Sequence, residues 1–82
     1  MELKDTVEYM NSKDYKDRFR GEYFQLSIRI DKLVRFIEKL HKNEAESTSP
    51  VALYVDQLHF MKCYKEMLET RAKIEEIDLE EV

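Results

Sequence analysis

The residues best suited to chemistry lie on two helical faces. Arg18, Glu22, Gln25, Arg29 and Lys32 recur at steps of four and three, the repeat of one side of an α-helix. Arg18 and Arg29 carry planar, permanently charged guanidiniums that can meet two phosphate oxygens at once. The line therefore reads either as a cationic groove wall or as a helix flank exchanging salt bridges with its neighbour. Further along, Gln57 and Arg71 interrupt a stripe otherwise made of Leu53, Phe60, Tyr64, Met67 and Ile74. On that stripe Phe60 is expected in the core, as Phe19 is on the preceding helix. An arginine buried there without a partner costs about 3–5 kcal/mol. Arg71 is thus expected to pair with an acid such as Glu22 or the acidic end, or to face a ligand cavity between protomers beside Tyr23 or Tyr64. A ring to stack on a base and a guanidinium for phosphate are the groups a nucleotide requires.

Other chemistries find less support. His59 and Cys63 are four residues apart on one helical face, but no third metal ligand has suitable spacing and no loop offers an oxyanion hole. One cysteine and two histidines exclude Cys-rich zinc sites and an intrachain disulfide framework. A single glycine excludes glycine-rich phosphate loops. The acid pairs Glu75-Glu76 and Glu80-Glu81 read as solvated charge. No catalysis, metal or cofactor is expected.

The elements that must position these residues are helices. With one glycine and one proline in 82 residues, the chain has few turn formers. Leu3, Val7 and Met10 mark a short helix over about 3–10, with Ser12 the expected N-cap of the next. From about 13 to 42, Phe19, Tyr23, Leu26, Ile30, Leu33, Ile37 and Leu40 form a heptad seam. Gly21 lies inside this helix, where a close backbone approach or a slight bend would explain it. Residues 43–49 have no periodicity and read as the loop. Ser49-Pro50 restarts a helix, with Pro50 at its first position, running to about residue 76. That helix has two neighbouring seams: the interrupted stripe, and Tyr54, Leu58, Met61, Leu68 and Ala72. Ile77 and Leu79 carry the apolar signal into an acidic end over 77–82, which suggests docking. The expected fold is a single all-α domain, residues 1–82: a long antiparallel helical hairpin with a short N-terminal helix. Phe24, Ile28, Val34 and Phe36 lie off the heptad seam of the 13–42 helix, more apolar surface than two facing helices cover. The expectation is assembly into a symmetric helical bundle, a homo-oligomer.

The net charge of −4 is unevenly spread. Residues 13–42 hold nine bases against five acids, whereas residues 75–82 hold five acids and no base. Asp14, Asp17, Glu22, Asp31 and Glu38 interrupt the basic stretch, which argues against a continuous track for long nucleic acid. No apolar run suffices for a membrane span, and no signal-peptide core follows Met1. A lone thiol fits a reducing cytoplasm.

Asp14-Tyr15-Lys16-Asp17-Arg18-Phe19, Glu22-Tyr23-Phe24-Gln25, Ile28-Arg29 and Lys32-Leu33 resemble small proteins of crAss-like and other gut bacteriophages. So do the opening Met1–Val7 and the ending Leu68–Leu79; only the loop near 43–49 falls outside the resemblance. In size and helicity the chain is also similar to short phage proteins that assemble symmetrically and sequester the nucleotide signals of bacterial immunity. The resemblance implies a phage counter-defence protein in the cytoplasm of the infected bacterium. It would bind a cyclic oligonucleotide or cyclic ADP-ribose isomer without turnover. Arg18, Arg29 and Arg71 would then take phosphate, Tyr23 would stack on a base and Gln25 would hydrogen-bond it. The alternative is a small helical interaction or assembly factor binding a host or phage protein.

Overall fold

The computed structural model describes residues 1–80, so Glu81 and Val82 of the acidic end lie outside the described residues. A 3-10 turn, Leu3–Thr6, runs into α1 (Val7–Met10); α2 (Tyr15–His41) and α3 (Val51–Glu75) follow. The architecture is all-α, two long helices packed as a hairpin with the short N-terminal helix folded onto α2. Its long dimension of 43 Å is set by α2, whose 27 residues rise about 1.5 Å each.

Local chemistry accounts for the helix ends. Asp14, not Ser12, caps α2, its carboxylate accepting the Lys16 N–H at 3.0 Å. Ser12 instead braces the cap: its hydroxyl accepts the Asp14 N–H and donates to Asp17, each at 3.1 Å. At the far end Asn43 turns left-handed (φ 58°), and Glu44 and Asn43 donate back to the carbonyls of Lys39 and Leu40. That pair of bonds satisfies carbonyls a helix end leaves unpaired. Pro50 occupies the N-cap of α3, one position earlier than its usual place inside the first turn. The helix ends at Glu76, also left-handed (φ 56°), with the Ile77 N–H donating to the Ala72 carbonyl at 2.8 Å.

The core holds Phe19, Leu68, Ala72 and Ile77, flanked by Tyr23, Leu26 and Leu79. Leu68 is wholly enclosed, worth about 1.5–3 kcal/mol in side-chain burial. Ile77 makes the acidic end part of the fold, and basic side chains of α2 secure it. Arg20 Nε donates to the Asp78 carbonyl at 2.7 Å while its Nη1 pairs with Asp17 at 2.8 Å.

Two packing expectations are corrected. On α3 it is the Tyr54, Leu58, Met61, Leu68 and Ala72 seam that is wholly or partly buried, with Lys65 filling its missing turn. Phe60, expected in the core, is 69% exposed, because the interrupted stripe is rotated away from α2. Arg71 and Gln57 are likewise exposed, so neither is a buried polar group needing rescue. On α2, part of the second apolar set is covered within the chain. Phe24 is buried under α1, with its ring edge-on to Tyr9 at 5.5 Å, and Phe36 meets Tyr54 edge-on at 5.3 Å. The surplus apolar surface lies on α3 instead.

Candidate binding face

Side chains bridge the hairpin on both flanks of its seam. Glu22 and Tyr23 are adjacent on α2, about 100° apart around the helix, and each reaches α3. The Tyr64 hydroxyl donates to the Glu22 carboxylate, and the Tyr23 hydroxyl donates to Glu69 at 3.1 Å. On the Glu22 flank the Arg71 guanidinium sits 4.9 Å from the Phe19 ring centroid and donates through Nε to Glu75 at 2.9 Å. On the Tyr23 flank Lys65 Nζ lies 5.6 Å from the Tyr23 ring centroid, and Phe24 meets that ring edge-on.

The Glu22 flank has the richer chemistry. Helical spacing brings Tyr15, Glu22 and Arg29 into one line on α2, seven residues apart, beside Gln57, Tyr64 and Arg71 at the same interval on α3. Arg29 is exposed and makes no hydrogen bond or ion pair among the described residues. Arg71 is balanced by Glu75, in an exposed pair of the kind worth only about 0–1 kcal/mol. An arriving anion therefore competes with little at either guanidinium. The cation of Arg71 over a ring adds a stacking edge next to a phenol.

The five residues singled out from sequence are not gathered into one pocket of one chain. Arg29 and Arg71 share the Glu22 flank but lie on opposite sides of the Glu22–Tyr64 bridge, about 15 Å apart along the antiparallel hairpin. Arg18 is engaged at the α1–α2 connection, where Nη1 donates to the Ser12 carbonyl at 2.9 Å. Gln25, half-buried two turns beyond it, has no side-chain hydrogen bond among the described residues. Tyr23 belongs to the opposite flank, its hydroxyl and ring already occupied by Glu69, Lys65 and Phe24. The ring beside Arg71 that lies open is that of Tyr64. Its signal was its place on the stripe with Arg71. Sequence reasoning set Tyr23 and Tyr64 side by side as options because periodicity alone does not say which flank each bridge occupies.

Both bridging phenols are perturbed. The hydrogen bond to Glu22 raises the Tyr64 pKa above 10.0, helped by desolvation and the Glu22 charge and opposed by Arg71. For Tyr23 desolvation leads, followed by the hydrogen bond and charge of Glu69, with Ser27 opposing. Both therefore remain neutral donors through the physiological range. Cys63 Sγ lies 3.7 Å from His59 Nε2 on the exposed side of α3, and no cluster of three metal-ligating side chains forms among the described residues. Among the described residues, a cleft of about 520 Å³ lies between the N-terminal turn and Ile28, Lys32 and Arg35 of α2. No helix among the described residues is long and apolar enough to cross a membrane.

No curated protein and no solved structure matches the chain. A family does, and its match over residues 13–74 spans α2, the loop and nearly all of α3, the whole hairpin that carries this face. The chain belongs to the Sequestin family.

Proposed function

We propose that this protein binds a nucleotide signal and holds it unchanged, so that the signal is withdrawn from its receptor. The ligand class is a cyclic oligonucleotide or cyclic ADP-ribose isomer of bacterial immunity. The protein acts for a phage, in the cytoplasm of the infected bacterium. The family name, Sequestin, supports sequestration as the mode of action. The observation that carries the ligand class is Arg71, held over Phe19 beside the open ring of Tyr64 and on the same flank as Arg29. In this reading Arg29 and Arg71 take phosphate oxygens, Arg18 adds positive charge, Gln25 hydrogen-bonds a base and Tyr64 stacks on it. Tyr23 contributes only if a second protomer brings its flank to the site. The pocket is completed in a homo-oligomer, because one hairpin offers a face and not an enclosure.

The test is thermal unfolding against a panel of cyclic di- and trinucleotides and cyclic ADP-ribose isomers. A ligand at 100 times its Kd adds about 2.7 kcal/mol of stability, and chromatography of the released ligand should return it intact. Arg29→Ala together with Arg71→Ala should abolish the shift while leaving the helical signal unchanged. Silence across the panel would favour the second reading, a helical interaction or assembly factor that binds a host or phage protein. One observation supports that alternative: the apolar stripe of α3 lies open.

A further inference from the structure

The open stripe is the largest unexplained feature of the molecule. Leu53, Phe60, Met67 and Ile74 recur every seven residues along α3 and are 56%, 69%, 60% and 76% exposed. Between them run Gln57, Tyr64 and Arg71, also at heptad spacing and exposed. The seven residues have the four-three spacing of a coiled-coil seam over three heptads, apolar except at Gln57 and Arg71, on a helix whose other apolar face is already packed against α2. Soluble chains seldom leave so continuous an apolar strip uncovered.

From these observations we propose that the stripe is the interface with a second copy of this chain, the two α3 helices packing antiparallel about a two-fold axis near Tyr64. Three features favour a second copy over an unlike partner. The stripe reads alike from both ends: counting outward from Tyr64, one meets Phe60 and Met67, then Gln57 and Arg71, then Leu53 and Ile74. A two-fold interface needs a surface that matches its own reversal, and antiparallel pairing supplies that reversal. Charge does not oppose the pairing. Arg71 is balanced by Glu75 on its own helix, and the edge next to the stripe carries Asp56, Cys63 and Thr70 as its heptad positions. Reversal about Tyr64 puts the one charge on that edge, Asp56, level with Ala72 and near Thr70, both uncharged. The area also suffices. Aromatic side chains bury about 150–250 Å² each, so covering Phe60, Tyr64 and their aliphatic neighbours in two copies reaches the order of 1,000 Å² that a specific interface requires.

The inference does not rest on the nucleotide reading, and its test is run without nucleotide. Light scattering of the full chain at about 100 μM, above the micromolar end of the range for specific interfaces, should give twice the 10.0 kDa chain mass. Phe60→Glu with Met67→Glu should give the single-chain mass with an unchanged far-ultraviolet circular dichroism spectrum, since both side chains are mostly outside the fold. Val55→Glu, exposed on α3 but off the stripe, should leave the dimer intact. A short bis-maleimide should join two wild-type chains through Cys63, which lies next to the axis, and should fail on the Phe60/Met67 variant. A wild-type mass of one chain, a dimer that survives the double substitution, or efficient Cys63 cross-linking of that variant would each overturn the proposal.

Discussion

At the scale of single residues, the two bridging tyrosines distinguish what burial does from what a carboxylate does. Both phenols have pKa values above 10.0, with the Glu22 hydrogen bond leading for Tyr64 and burial leading for Tyr23. Glu22→Gln should therefore return most of the Tyr64 shift, whereas Glu69→Gln should leave Tyr23 raised. Alkaline titration followed by tyrosinate absorbance reads both. A raised folded pKa also fixes the direction of the stability effect. The bridges contribute fully below the unfolded value of about 10 and lose their contribution as pH rises through the higher folded values. Equal stability above and below that window would show that the bridges do not hold the hairpin. The chemistry of the site was legible at this scale only in part. The types at Arg29 and Arg71 announced themselves, but the pairing of Arg71 with Glu75 and Phe19 did not, since several acids and rings were within reach by spacing.

Elements bring different arithmetic. Gly21 is the one position where α1 and α2 come too close for a side chain: a Cβ there would meet Tyr9 Cβ at 2.8 Å and Met10 Sδ at 2.9 Å. In an open helix Gly→Ala stabilises by about 1 kcal/mol. Here overpacking, which costs about 1–3 kcal/mol, should win. Gly21→Ala is expected to lower the urea midpoint, with α1 displaced; an increase would mean that α1 moves aside freely. The two seams of α3 give a paired comparison. Leu68→Ala should cost about 2–5 kcal/mol, as a fully enclosed leucine leaves a cavity. Phe60→Ala should change the unfolding free energy of the isolated chain by no more than about 0.5 kcal/mol. Equal losses at the two positions in dilute solution would contradict the exposed setting of the stripe. The rotation of α3 was the least legible part of the fold, because both seams have helical period and large apolar residues. The discriminating signal was present in Gln57 and Arg71: polar side chains on an apolar stripe mark the face left outside the fold of the single chain, and Ala72 and Leu68 mark the one that approaches α2.

For the whole molecule, the decisive quantity is apolar surface relative to chain length. A domain of this size buries only about 60% of the surface its unfolded chain exposes, so a strip left on the outside is a large fraction of what remains available. The ligand reading and the dimer proposal are separable at this scale, since one is measured by nucleotide-dependent stability and the other by mass in its absence. If both hold, the ring of Tyr64 is shared between the seam and the base, with Arg71 of each copy at the seam, and the Phe60/Met67 variant should lose affinity without losing any residue proposed to touch phosphate. The sequence by itself determined the helices, their approximate limits, the hairpin and the docking of Ile77, because a 3.6-residue period, a cap and a scarcity of turn formers are local properties of the chain. It also named the guanidiniums, because residue type is explicit. Only the tertiary structure decided which seam of α3 faces α2, which flank holds each tyrosine, and that α1 covers Phe24. Each of these is a rotation of one element about its own axis, and a rotation is settled by the fit of side chains across a contact, which no stretch of sequence contains.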